Sequence, residues 1–150
     1  MHARETLIAG LVAQIVAAST TLGGNVKSGR MYAIESDEFP IALVYQGDET
    51  SAVDDVNSKK TRELEIRIEI HAIDNPADMS SPELQSDLNG LAEEIENAIE
   101  ADPSIGGLAL FVEHQGTQTT LAQVDTDRGG LLLNLVAQYR TARLNASQLA

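Results

Sequence analysis

The most regular hydrophobic pattern in the chain is the alternation in TRELEIRIEIHA, residues Thr61–Ala72. The apolar residues Leu64, Ile66, Ile68 and Ile70 alternate strictly with Glu63, Glu65, Arg67, Glu69 and His71. Successive side chains of a strand point to opposite faces, so this period of two predicts a strand with one buried and one exposed face. The apolar run Phe39–Gln46 predicts a second strand that pairs antiparallel with the first, with Pro40 near its start.

Two other segments have the periodicity of amphipathic helices. Apolar residues repeat at helical spacing over about Ala3–Thr20, and Gly23 with Gly24 ends that helix. A second helix begins near Ser81 and is closed by Asp102-Pro103. Its single apolar stripe consists of Leu84, Leu88, Leu91, Ile95 and Ile99.

The remaining elements complete an α+β fold. Weaker patterns predict strands at Asn25–Ile34, Leu108–Glu113 and Thr119–Val124, and a turn at Asp127–Gly130 leads into a final strand, Leu131–Thr141. We therefore expect one domain over residues 1–150, with two main helices packed on one face of a mostly antiparallel sheet. Residues 141–150, TARLNASQLA, are expected to form a C-terminal extension.

The connection between the two central strands is acidic and polar. Gly47–Lys60 contains Gly, Asp, Ser and Asn residues and almost no large apolar side chain, which predicts a long loop. Loops of this length in compact domains are usually functional or disordered. Two interpretations remain open for this loop: an idle, solvated loop, or a loop that is mobile in the free subunit and becomes ordered at a contact with a partner.

Charge is distributed unevenly along the chain, which has a formal net charge of −13. This charge argues against ordinary nucleic-acid binding, which requires Lys and Arg to neutralise phosphates. Residues 68–127 contain thirteen acids and no Lys or Arg, whereas residues 128–150 contain three Arg and no acid. Two interpretations remain open: a solvated acidic surface with a short basic tail, or acidic and basic faces that meet between neighbouring subunits.

Candidate chemistry is sparse. The chain contains no Cys, and no apolar stretch approaches ~20 residues, so we expect a soluble protein without disulfides. His2, His71 and His114 are scattered. DTDRGG at 125–130 resembles the start of a calcium loop, but Val136 occupies the position that requires Glu. We predict no catalytic residue, cofactor or metal site.

One enzymatic alternative stays open. Asp54 or Asp55, followed by Glu65-Ile66-Arg67, imitates the carboxylate spacing of magnesium-dependent nucleases. Arg67 stands where such enzymes have Lys, and an Arg side chain is a poor base because it does not readily lose a proton. Alternation also places Glu65 and Arg67 on the exposed face of an ordinary strand.

The order of these segments resembles a known family. GRMYAIESDEFPIALVYQGDE, followed by a polar loop and RELEIRIEIHA, is similar to the tail terminator proteins of long-tailed bacteriophages, also called tail completion or minor tail proteins of the lambda-like type. The resemblance includes the leading helix and the late Asp-rich turn, and it spans nearly the full chain. The residues beyond the last predicted strand depart from the family pattern.

The resemblance implies a structural protein of the virion, assembled in the host cytoplasm and located at the head-proximal end of the tail. Such proteins form a hexameric ring that stops tube polymerisation and provides a surface for head–tail joining. The implied partners are further copies of the chain, the tail tube protein and the head connector or head completion protein, with DNA passing non-specifically through the channel and no membrane. A head-completion or neck ring protein is the alternative. The expected assembly residues are Asp48, Glu49, Asp54, Asp55, Lys59, Lys60, Arg128, Arg140 and Arg143.

Overall fold

Two helices and six strands make up the secondary structure of the described residues. The computed structural model describes residues 1–18, 20–29, 40–53, 59–73, 81–120, 128–143 and 145–150. The elements in chain order are α1 (Ala3–Ala17), β1 (Val26–Ser28), β2 (Ile41–Val53), β3 (Lys59–Ile73), α2 (Ser81–Ala101), β4 (Phe111–Thr120), β5 (Arg128–Ala142) and β6 (Asn145–Leu149). The predicted α+β class is confirmed.

The strands form one mostly antiparallel sheet in the order β1-β2-β3-β5-β4, with β6 paired to the end of β5. Among the strands that the structure describes, only the short β1 runs parallel to its neighbour. β3 lies at the centre and pairs along its whole length with β5. The predicted antiparallel pairing of the two central strands is confirmed, with Val44 opposite Ile68.

Alternation along β3 determines where the core lies. Leu64, Ile66, Ile68 and Ile70 of β3 are fully buried, whereas the neighbouring Glu63, Glu65 and Arg67 are exposed. The same core cluster contains apolar side chains from both helices, among them Leu11 and Ile15 of α1 and Leu88 and Ile95 of α2. Burial of these side chains is the main stabilising contribution to the fold.

A hydrogen-bonded turn joins α2 to β4. The Asp102 carboxylate accepts hydrogen bonds from the Ser104 hydroxyl at 2.6 Å and the Gly106 amide at 2.8 Å. These hydrogen bonds lower the pKa of the Asp102 carboxyl. Ile105 is buried in this turn with a φ of 50°, a backbone conformation rare for a β-branched residue. The turn fixes the position at which β4 begins.

The prediction of a long loop over Gly47–Lys60 is wrong. β2 continues to Val53 and β3 already begins at Lys59, with Val53 opposite Lys60. The ladder extends through this polar segment because backbone hydrogen bonds do not require apolar side chains. Of the predicted loop, only 54–58 lies outside the described residues, so Asp54 and Asp55 are not described.

Other element boundaries also differ from the predictions. The structure has one strand, β4, where the sequence predicted two short strands at Leu108–Glu113 and Thr119–Val124, and residues 108–110 precede it. The predicted turn at 127–130 is wrong for residues 128–130, which are the first residues of β5. The strand ending at Thr141 is not the last, because β6 follows and pairs back on β5. A strand was also predicted over Asn25–Ile34. In its described part, residues 25–29, only Val26–Ser28 form a strand, β1.

Candidate assembly surface

A β-bulge in β2 reverses the orientation of the residues that follow it. Gln46 lies opposite Ile66, but the next paired residue is Glu49, opposite Leu64. One extra residue in an alternating strand moves every later side chain to the other face. Glu49 therefore lies on the face of the sheet that Leu64 shares with the core, although unbroken alternation from Val44 would place it on the outer face.

Gly47 is required for the close approach at this bulge. A Cβ atom at Gly47 would lie 2.9 Å from the Glu65 Cβ and 3.1 Å from the Glu65 carbonyl oxygen. We expect Gly47→Ala to destabilise the fold by about 1–3 kcal/mol, the usual cost of overpacking. Chemical denaturation measures the change, and Gly24→Ala is the control because nothing lies near a Cβ there. Equal stability of the two variants would contradict this account of the bulge.

Glu49 is the centre of a polar network at the edge of the core. Its Oε2 atom lies 3.1 Å from the Arg62 guanidinium and 3.3 Å from the Arg4 guanidinium. Its Oε1 atom accepts a hydrogen bond from the Tyr139 hydroxyl. Arg62 also donates to the Thr141 hydroxyl at 3.0 Å. The side chains of Glu49 and Arg62 are only 10% and 11% exposed, so this network joins α1, β2, β3 and β5 inside the subunit.

Burial and charge around the network determine the protonation of its neighbours. Burial raises the pKa of the Tyr139 phenol, and the hydrogen bond to Glu49 raises it further. The phenol thus stays protonated and donates to the carboxylate. Burial and the nearby Arg4 and Arg62 lower the pKa of His2. A neutral His2 suits its position before α1, where its Nδ1 atom accepts a hydrogen bond from the Arg4 amide at 3.2 Å.

Basic residues gather at the end of the sheet where the β2–β3 hairpin closes. Lys59 pairs with Ala142, Lys60 with Thr141 and Thr61 with Arg140. Arg143 follows β5 directly and is exposed. The structure thus brings Lys59, Lys60, Arg140 and Arg143 together, although they come from two distant parts of the sequence. We refer to these four residues as the basic end.

Acidic residues lie at the opposite end of the sheet. Asp87, Glu93 and Glu94 of α2 line an open groove of about 650 Å³ together with Pro40 and Ala72, which flank the far ends of β2 and β3. Ala72 lies twelve positions after Lys60 in β3, a distance of roughly 40 Å in a strand. Glu94 also accepts hydrogen bonds from the amide and hydroxyl of Thr21. We refer to Asp87, Glu93 and Glu94 as the acidic end.

The remaining expected assembly residues do not share one location. Arg128 pairs with Ile73 at the acidic end of the sheet, far from Arg140 and Arg143 on the same strand. Asp48 is exposed at the bulge, and the Glu49 carboxylate forms an ion pair with Arg62 inside the subunit. An interface role for these residues stays a prediction.

Arg62 and Tyr139 are site residues that the sequence analysis missed. The sequence did indicate that both side chains face the core, because Arg62 is two residues from Leu64, and Tyr139 is an even number of residues from Leu133 and Leu135.

No metal or membrane site emerges from the described residues. Within the described ranges, no group of three or more His, Cys, Asp or Glu side chains could hold a metal ion. Glu65 and Arg67, the nuclease-like pair, lie on the exposed face and contact each other at 3.6 Å. Among the helices that the structure describes, none is long and apolar enough to cross a membrane.

Comparisons with known proteins add a distant structural likeness. No protein-family model matches the sequence. No curated protein matches it either. Among solved structures, a chain described as "Virion of native gene transfer agent (GTA) particle" is similar at 12% sequence identity and a TM-score of 0.42, covering 85% of this chain and 90% of that chain. A likeness this distant carries no argument about function, so the proposal below rests on the residues themselves.

Proposed function

We propose that this protein is a structural component of a phage-like virion, a tail terminator whose subunits form a hexameric ring at the head-proximal end of the tail tube. The ring stops tube polymerisation and provides the surface for joining the head. The order of segments in the sequence, which resembles that family, supports this proposal. Both helices would pack on one face of the sheet of a single-domain subunit, leaving its two ends available to partners.

The single observation that carries the proposal is the separation of charge between the two ends of the sheet. The basic end lies where the β2–β3 hairpin closes, and the acidic end lines the groove beside Pro40 and Ala72 at the other end of the sheet. In a ring whose subunits have their strands nearly parallel to the ring axis, one rim would be basic and the other rim would be acidic. Unlike rims suit a protein that must contact two different partners, the tail tube and the head connector.

Electron microscopy of tubes tests the proposed function. Purified tail tube protein of the matching particle is allowed to polymerise with and without this protein. We expect short tubes of defined length that carry a ring at one end when the protein is present, and longer tubes of variable length without it. Unchanged tube length and bare tube ends would reject the terminator role. Binding to head connectors alone would instead support the head-completion alternative.

Charge reversal at the basic end should weaken tube capping. We expect the variant Arg140→Glu, Arg143→Glu to need several-fold more protein to cap tubes, because exposed ion pairs contribute only ~0–1 kcal/mol each. The defect should grow at low salt, where like charges repel over a longer range. Arg67→Glu is the matched control, since Arg67 is exposed in the middle of the sheet. Equal capping by all three proteins would exclude the basic end from the contact.

A further inference from the structure

Two adjacent acidic residues lie at the bulge of β2, and they differ in the side of the sheet that they reach. Glu49 lies opposite Leu64 and forms an ion pair with Arg62. Asp48, the residue before it, is exposed. The bulge decides between the two, because it holds one extra residue of β2 between Gln46 and Glu49. Without the bulge, regular alternation from Gln46 would place Asp48 opposite Leu64, in the position that Glu49 now occupies.

The four residues of β2 that follow Glu49 do not specify one register. Thr50, Ser51, Ala52 and Val53 are all exposed, and none of them belongs to the core cluster. Register is strongly specified where one face of a strand is buried and weakly specified elsewhere. A shift by one residue would exchange the faces of these four side chains without removing any of them from the core.

The neighbouring strands also permit such a shift. β1 pairs only with Ala42–Val44, which precede the bulge. Within the described ranges, the part of β2 beyond the bulge pairs with β3 alone. This part can therefore move along β3 by one residue without breaking a pair with a third described strand, and β3 keeps its whole pairing with β5. The extra residue would pass from the bulge to the end of the hairpin.

We propose that the β2–β3 hairpin has a second register, in which the bulge is absent and Asp48 replaces Glu49 beside Arg62. The side chain of Asp is one methylene shorter than that of Glu, so Asp48 reaches the Arg62 guanidinium and the Tyr139 hydroxyl less well. This difference makes the bulged register the more stable one in the free subunit. The second register follows from strand pairing alone and does not depend on the tail-terminator role.

The two registers differ in the surface that they present at the hairpin end of the sheet. In the structure, Ser51 and Val53 share the face of Glu49, and Thr50 and Ala52 lie on the other face. The second register exchanges these two pairs of side chains. A partner that binds this end with different affinity in the two registers would shift the population toward one of them.

Engineered cysteines distinguish the two registers, because the natural chain contains no Cys. Lys60 lies opposite Val53 in the structure and would lie opposite Ala52 in the second register. One reporter therefore carries Val53→Cys with Lys60→Cys, and the other carries Ala52→Cys with Lys60→Cys. In the structure the side chains of Ala52 and Lys60 point to opposite faces of the sheet, so the second reporter cannot form its disulfide without the shift.

Lys60 is suitable for both reporters because it belongs to a non-hydrogen-bonded pair. Val44 accepts a hydrogen bond from the Gly29 amide, so its carbonyl points away from β3. Its partner Ile68, and every second residue of β3 back to Lys60, therefore stand in non-hydrogen-bonded pairs with β2. Cα atoms in such pairs are about 4.5 Å apart, which is within the range that disulfides span.

Rates of disulfide formation under mild oxidation test the second register. In the natural background we expect the Val53–Lys60 reporter to close rapidly and the Ala52–Lys60 reporter slowly. Glu49→Ala should reverse this order, because Asp48 is then the carboxylate that can enter the network. Adding Asp48→Ala should remove the gain of the Ala52–Lys60 reporter. The proposal is overturned if the Val53–Lys60 reporter stays faster in Glu49→Ala, or if the gain persists without Asp48, which would indicate fraying of the hairpin end.

A second comparison decides the case in which Glu49→Ala does not fold. Asp48→Ala in the otherwise natural chain replaces an exposed side chain and should leave the fold intact. It should slow the Ala52–Lys60 reporter several-fold, because the second register loses its carboxylate, and leave the Val53–Lys60 reporter unchanged. Equal rates of the Ala52–Lys60 reporter with and without Asp48 would overturn the proposal.

Discussion

Replacing Glu49 with Ala should destabilise the subunit by about 3–5 kcal/mol, as expected when one partner of a buried ion pair is removed. The loss has two sources in the structure. Arg62 is 11% exposed and would keep a positive charge that water can hardly reach. The fully buried Tyr139 would lose the acceptor of its hydroxyl, and an unsatisfied buried donor is costly in itself.

Denaturant unfolding of Glu49→Ala and Glu65→Ala measures this effect with a matched control. Glu65 is a neighbouring carboxylate on the exposed face, 52% exposed and paired with Arg67. Removing an exposed ion pair of this kind changes stability by only ~0–1 kcal/mol. Equal losses in the two variants would show that Glu49 is solvated and that the network does not stabilise the fold.

Ile68→Ala should also cost about 2–5 kcal/mol, through lost transfer free energy and the cavity left behind. Ile68 is fully buried at the centre of β3, opposite Val44 on one side and Leu133 on the other. The surrounding strands are paired on both sides and cannot collapse freely into the space. The cost should therefore lie well above that of an ordinary surface substitution.

Arg67→Ala is the control for the core prediction, because Arg67 is adjacent in the strand but half-exposed. Surface substitutions usually change stability by less than about 0.5 kcal/mol. A loss below that value for Ile68→Ala would mean that the faces of β3 are assigned incorrectly. Urea denaturation of both variants measures the two changes in unfolding free energy. The comparison is direct if the dependence of the unfolding free energy on urea concentration is similar in both variants.

Assembly should respond to these substitutions differently from the basic-end variant. Ile68→Ala and Glu49→Ala weaken the subunit itself, so any assembly defect should follow the population of folded chains. Arg140 and Arg143 lie at one end of the sheet, so their substitution should alter contacts between chains with a smaller effect on unfolding. Measuring stability and assembly together therefore separates a damaged fold from a damaged interface.

The sequence by itself determined the central pair of strands, both helices and the buried face of β3. These features follow from local periodicity, because side chains alternate along a strand and repeat every turn along a helix. Leu64, Ile66, Ile68 and Ile70 needed no tertiary information to be assigned to the core, and their complete burial confirms the assignment.

Only the tertiary structure decided the length of the hairpin and the location of its charges. The polar segment Gly47–Val53 is a strand because neighbouring backbones supply its hydrogen bonds, which no side-chain pattern reports. The bulge beside Gly47 turns Glu49 toward the core, where Arg4, Arg62 and Tyr139 arrive from three other elements. Strand register then places Lys59 and Lys60 beside the end of β5 and sends Arg128 to the other end of the sheet, because β5 runs antiparallel to β3 over its whole length.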